Sequence, residues 1–311
     1  MYDTVFFKLN QSEAGGVDFL SEIPCYLDRV SQHYFDGVPV ISGMAGNLRV
    51  TASQYQVKVK DGSLCKFLFG NNYKTMGRHD AQQAVEMLSD SLHLPMDKAT
   101  VTRLDFGLNM IMQNSLDVYF SHLGLLGRAQ RLQEPNGLYY VVSGGRYCFY
   151  DKNREQKAHN EPIPVLYQNQ NVLRVEQRYL QRLPQRLNRP EVKGATLYDR
   201  VFFNDLLNRW RGGYKSIPKI NDLSINFEYM KTVSELKSFA LASFVEQNGG
   251  EMAFIAMLNE NYKTGVLSKK QAHDLREAVK NVCKLREGIT TPNEAIQELD
   301  TKIDQAVRMY R

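Results

Sequence analysis

The segment Ala99-Thr100-Val101-Thr102-Arg103-Leu104-Asp105-Phe106-Gly107-Leu108-Asn109-Met110 constrains the fold most strongly. Side chains two residues apart share one face of a β-strand. As a strand, this segment sets Thr102, Leu104, Phe106 and Leu108 on one side, and Arg103, Asp105 and Gly107 on the other. A carboxylate amid so apolar a strand is costly to bury unless it is paired or bound to a metal. An exposed strand face, or a structural Asp–Arg pair, is the commoner fate of a single such residue. One strand therefore assigns no function.

Two further segments share the pattern. In Arg146-Tyr147-Cys148-Phe149-Tyr150-Asp151-Lys152, an extended chain points Arg146, Cys148, Tyr150 and Lys152 one way, and Tyr147 and Phe149 toward a core. A phenol beside an ammonium suits a nucleophile with its charge stabiliser. In Val172 to Arg182, strand geometry through about Leu180 places Arg174, Glu176 and Arg178 on one face. Val172, Val175, Tyr179 and Leu183 also fit a helix, but the β-branched start favours strand. If the three polar faces coincide, Asp105 and Glu176 would hold a hard divalent cation, Mg²⁺ or Mn²⁺, beside Tyr150. Glu155 is a third candidate ligand or proton-transfer group, with a solvated charge as the alternative.

Around these segments, residues 4–9 alternate as a strand, and Val17 to Phe35 carries an apolar stripe at helical spacing. Leu48 to Thr51 and Tyr55 to Lys60 alternate, and Asp61-Gly62 predicts a hairpin with Ser63 to Phe69 returning. Helices are expected over Asp80 to Leu92 with Asp80 as N-cap, over Ser115 to Leu126, and over Thr196 to Arg211 ending at Gly212-Gly213. Pro135-Asn136-Gly137 is a turn. Beyond about Ile220, capping boxes recur at Thr232/Glu235, Ser268/Gln271 and Thr291/Glu294, the last with Pro292 at the first helical position. The expected fold class is α+β: a mainly antiparallel sheet flanked by helices (residues 1–218), then a small all-helical C-terminal domain (residues 219–311).

Charge distribution adds a partner class. The net charge is +5 over 311 residues. Residues 174–215 alone carry ten Lys and Arg against four Asp and Glu, and the rest of the chain is nearly balanced. Clustered positive charge suits a polyanion, although a solvated basic face is an equal alternative. Four widely spaced cysteines fit neither a zinc module nor a disulfide framework. No His-x-His pair and no phosphate-binding loop occurs. No apolar run is long enough for a bilayer, and the first residues lack a signal peptide's basic start and cleavage site. The protein is expected to act where it is made, in the cytoplasm.

At Thr102-Arg103-Leu104-Asp105, Tyr150-Asp151-Lys152-Asn153-Arg154-Glu155 and Leu173-Arg174-Val175-Glu176-Gln177-Arg178, the chain resembles rolling-circle replication initiators. The nearest branch is the gene II/X type of filamentous phages, related to plasmid initiators. The resemblance covers residues 99–185 in order and spacing, extends loosely to residues 1 and 215, and leaves 220–311 unmatched. It implies a metal-dependent nicking and closing endonuclease whose tyrosine, here Tyr150 aided by Lys152, nicks origin DNA and becomes covalently joined to it. It also implies Asp105, Glu176 and Glu155 as metal ligands. Arg103, Arg146, Arg174, Arg178, Arg182, Arg186, Arg200 and Arg211 are the residues expected to touch DNA. Expected partners are single-stranded or supercoiled origin DNA, a host helicase and polymerase, and a second copy of the chain, with no membrane. The alternatives are a relaxase for mobilisation and a non-catalytic DNA-binding protein. Relaxases of the commonest class would show a clustered histidine triad, which this chain lacks.

Overall fold

The computed structural model describes residues 1–223, 231–284, 290–291 and 293–311. Its strands are β1 (Tyr2–Asn10), β2 (Asp28–Phe35), β3 (Val38–Ala45), β4 (Leu48–Ser53), β5 (Gln56–Lys60), β6 (Thr100–Met112), β7 (Gln130–Glu134), β8 (Gly137–Val142), β9 (Gly145–Asp151) and β10 (Asn171–Tyr179). All ten join one antiparallel sheet in the order β2-β3-β4-β5-β1-β6-β10-β9-β8-β7. The helices are α1 (Leu64–Phe69), α2 (Arg78–Leu92), α3 (Leu116–Ser121), α4 (Lys152–Ala158), α5 (Leu183–Arg186), α6 (Arg200–Lys215), α7 (Val233–Gln247), α8 (Gly250–Lys263), α9 (Lys269–Cys283) and α10 (Glu294–Tyr310). A short pair, β11 (Asp222–Leu223) and β12 (Thr290–Thr291), closes the base of the α7–α9 segment. The α+β class with an antiparallel sheet is the one the sequence predicts.

Alternation along the central strands builds the layers. Val5 and Phe7 of β1, Leu104 and Phe106 of β6, Val175 of β10 and Phe149 of β9 are buried in the main core. Helix α6 packs there through Phe202, Phe203, Leu206, Leu207 and Trp210. Trp210 is fully buried and its indole N–H donates to the Val175 carbonyl at 3.1 Å. Tyr2, Phe106 and Phe203 meet edge-on at 5.4–5.6 Å between ring centres. The opposite sheet face is not covered in this way and carries the polar side chains of β6, β9 and β10.

Several expectations fail for identifiable reasons. Residues 17–35 form a 3₁₀ turn at Ile23–Tyr26 and strand β2, not a helix. Pro24 interrupts the helical hydrogen bonding, and pairing of β2 with β3 overrides the periodicity. Ser63 does not open a return strand. Its hydroxyl accepts the Lys66 amide and caps α1, while β5 pairs back to β4. Asp80 is one turn inside α2: its carboxylate accepts the Gly77 N–H at 2.7 Å, so the helix starts at Arg78. Helix α3 stops at Ser121, and α6 runs through Gly212-Gly213 to Lys215, with Tyr214 fully buried beneath that turn. The caps at Thr232 and Ser268 form as expected. The last helix is capped by Asn293 instead of Thr291, and Pro292 lies outside the described residues.

The expected division at residue 218 does not follow the packing. Ile296, Leu299, Ile303 and Val307 of α10 belong to the same core as the sheet. Among the described residues, α7–α9 pack separately, around Ala242 and Val282 and around Val245, Leu258 and Val279.

Gly107 of β6 is paired with Glu176 of β10. A Cβ there would collide with the Val175 carbonyl oxygen and stand 2.7 Å from the Glu176 Cα. Overpacking at so tight a crossing typically costs about 1–3 kcal/mol. Gly107→Ala is expected to lower stability by about that amount in urea unfolding; an unchanged midpoint would show that the two strands can part freely.

Candidate active site

Strand order brings the three polar segments side by side. β10 lies between β6 and β9, with Arg178 opposite Asp105 and Arg174 opposite Tyr150. Opposed residues point to the same face. Arg103, Asp105, Tyr150, Glu155, Glu176 and Arg178 line one open cleft of about 410 Å³, walled by Ser63 and Lys66 of the α1 region and by Glu161 beyond α4.

The cleft floor is an ion-pair network. Arg103 holds Asp105 with two hydrogen bonds, 3.1 and 2.6 Å long. Arg178 donates to Glu176 Oε2 at 2.8 Å, and Arg174 reaches Glu176 Oε1 at 3.2 Å. Arg174 also donates to Asp3 at 2.7 Å and to Asn109 at 3.1 Å. Asp3 in turn accepts from Ser63 and, at 3.4 Å, from Asn72. The Tyr150 hydroxyl donates to Glu176 Oε2 at 3.4 Å, and the Arg178 guanidinium lies 5.6 Å from its ring centre.

The two central carboxylates have opposite electrostatics. Burial raises Glu176, but the charges and hydrogen bonds of Arg178 and Arg174 outweigh it and hold the group at about 2. Asp105 is pushed up to about 7, first by burial and then by the charge of Glu176, against the pull of Arg103. Burial, followed by the charge of Glu176, also pushes the Tyr150 phenol well above its usual range, opposed by Arg174 and Arg178. The resting tyrosine is therefore protonated, and Asp105 is the carboxyl whose proton affinity lies near neutrality.

Other sequence-selected residues are placed differently. Strand β9 ends at Asp151, whose side chain caps α4, so Lys152 opens a helix and does not extend the Tyr150 face. Lys152 is fully buried and bonds Glu155 at 2.6 Å. Burial, then Arg174, lower its proton affinity. Glu155 is raised by burial, yet Lys152 keeps it below the usual carboxylate range. Arg174 is buried within the network, so the expectation that it touches DNA is corrected. Arg146 faces the cleft side next to Arg178. Arg182 and Arg186 flank the α5 turn. Arg200 and Arg211 are on α6, behind the sheet, and Arg211 pairs with Asp304 of α10 at 2.6 Å. The basic run 174–215 is thus split between the two sides of the sheet and is not one surface.

Asp3 was missed by sequence reasoning. The signal existed: Tyr2-Asp3-Thr4-Val5-Phe6-Phe7 buries a carboxylate in an apolar strand, the same anomaly as Asp105.

For a divalent cation, the donor chemistry fits better than the resting geometry. Hard carboxylate oxygens converge on the cleft, where burial and then the charge of Glu176 raise Asp105. Yet all four oxygens of Asp105 and Glu176 meet guanidinium donors, so a cation would displace Arg103 or Arg178, each about one-quarter exposed. Among the described residues no three His, Cys, Asp or Glu side chains cluster as a metal cage.

The family defined by the N-terminal part of the phage replication-associated protein of gene II matches residues 1–201, which include β1 through β10 and the whole cleft. The chain belongs to this family and is a rolling-circle replication initiator of the filamentous-phage gene II type. No curated protein matches it. Among the described residues, no helix is long and apolar enough to cross a membrane.

The Asp105 shift has a sign that can be measured. Its folded-state affinity for protons exceeds the unfolded one, so the folded protein binds more protons between about pH 4 and pH 7, and stability falls as pH rises through that window. In EDTA, this group should cost on the order of 1–3 kcal/mol between about pH 5 and pH 8. Urea titrations of Asp105→Asn should show a flatter pH dependence; an undiminished fall would mean that another group titrates.

Proposed function

We propose that the cleft is a DNA nicking and closing centre with Tyr150 as nucleophile. The observation that carries this reading is Tyr150 in the lining of an open, polar cleft that Asp105 also lines, its hydroxyl hydrogen-bonded to Glu176. Tyrosines such as Tyr147, whose hydroxyl donates to the Trp210 carbonyl, are spent in the core.

The step balances as a transesterification. Tyr150 Oη bonds to the scissile phosphorus, and the bond from phosphorus to the 3′-oxygen of the upstream nucleotide breaks. The phenolic proton leaves through the cleft. Glu176, at about 2, is a poor acceptor and stays an anion through the step. The 3′-oxygen leaves with a proton as a free hydroxyl that a polymerase extends. The 5′-phosphotyrosyl ester conserves the bond for later rejoining. Arg178, over the Tyr150 ring, and Arg103 place positive charge where the phosphorane gains negative charge. Lys152 acts through Glu155 and not on the phenol. Origin DNA is the substrate of this reading.

Asp105 and Glu176, with Glu155 at the rim, would hold Mg²⁺ or Mn²⁺ once a guanidinium turns aside. When bound, the ion supplies Lewis-acid polarisation of the phosphate.

Tyr150→Phe removes only the hydroxyl. It is expected to abolish nicking of supercoiled origin plasmid and the covalent protein–DNA adduct, by at least about 10³-fold, while DNA affinity stays within about twofold. Persistent nicking would overturn the assignment. EDTA is expected to stop nicking by the unaltered protein, with recovery on adding Mg²⁺ or Mn²⁺; full activity in chelator would remove the metal from the reading.

A further inference from the structure

The polar face does not stop at the cleft. Cross-strand pairing sets Phe6 opposite Arg103, Lys8 opposite Lys58, Thr51 opposite Lys58, and Arg49 opposite Lys60. Directly opposed residues share a face. The side of the sheet carrying Asp105 therefore continues across β1, β5 and β4 as Phe6, Lys8, Lys58, Lys60 and Arg49. From Tyr150 on β9 to Arg49 on β4 is five strand spacings, roughly 24 Å.

This stripe is unneutralised. Lys58 is exposed, and Lys8 and Lys60 are half-buried. None of the three lysines is ion-paired among the described residues. Arg49 meets Asp61 at 3.8 Å with both side chains 55% exposed, a pair of little strength in water. Beyond Lys58 and Lys60 lies a second cleft of about 530 Å³ running to His33, Phe35 and Tyr55, with Asp36 the one acidic residue along it. Phe35 and Tyr55 are 69% and 63% exposed.

We infer that this stripe, from the Tyr150 cleft over Lys8, Lys58 and Lys60 to Tyr55, is a track for the single-stranded DNA that flanks the nick. Lysines spread over the neighbouring strands β1 and β5 follow a phosphate backbone, and exposed aromatic residues beside them offer stacking platforms to unpaired bases. The inference depends on the proposed nicking role only for where the strand starts.

The test is anisotropy of a fluorescein-labelled oligothymidine strand, with no origin sequence, titrated with the full chain over a range of salt. Lys58→Gln/Lys60→Gln is expected to weaken binding at least about tenfold and to lower the logarithmic salt slope by about 1.4, at about 0.7 for each phosphate no longer neutralised. Tyr55→Ala should cost about fivefold through weaker stacking. Thermal melting, unchanged in each variant, confirms the fold. Lys263→Gln/Lys269→Gln, which removes two charges from α8 and α9, should bind like the parent. Unchanged affinity and slope in the first variant, an equal loss in the α8–α9 variant, or an equal loss for a duplex of the same length would each overturn the track. These readouts involve no nicking, so they stand or fall separately from the Tyr150→Phe result.

Discussion

The guanidinium of Arg174 is the interaction on which the site depends. It is buried, and it reaches Asp3 on β1, Asn109 on β6 and Glu176 on its own strand. One planar cation thus ties three adjacent strands at the level of the cleft floor. Ion pairs so deeply buried gain little net stability over an apolar packing, but losing one member leaves uncompensated charge and costs several kcal/mol. Its value is in geometry: with Arg174 fixed, Glu176 is fixed, and with Glu176 the hydroxyl of Tyr150.

The same electrostatics divides labour between like groups. Two guanidiniums make Glu176 a permanent anion, and that anion helps make Asp105 a reluctant one. A pair of carboxyls pushed apart in this way offers one fixed charge and one proton acceptor within a single cleft. The protein achieves this without a histidine in the cleft lining.

Much of this was legible in the sequence because alternation in a strand is a rigid rule. Arg103 with Asp105, and Glu176 with Arg178, share faces as their spacing requires. Legibility ended where the chain changed periodicity. Lys152 falls one residue beyond the strand, where the Asp151 cap turns the backbone into a helix, so the i+2 rule no longer applied. Asp3 escaped because its partners, Ser63 and Arg174, are 60 and 171 residues away. The charge count misled for a related reason: a basic run in sequence crosses from one side of the sheet to the other, while lysines from β1 and β5 assemble a stripe that no window along the chain reveals.

Helix α10 closes the core that β1 begins. Helix α10, with Ile296, Leu299, Ile303 and Val307 in that core, lies against α6, α3 and β6, made roughly 95 to 195 positions earlier. Until that helix is made, part of the apolar layer behind the sheet has no cover, and the nascent chain cannot settle fully. Segment α7–α9 lies in the chain between α6 and α10, two helices of that core. For a replication initiator, the arrangement makes a finished cleft a late event of synthesis, so a chain that stopped short of α10 would not carry a fully supported sheet.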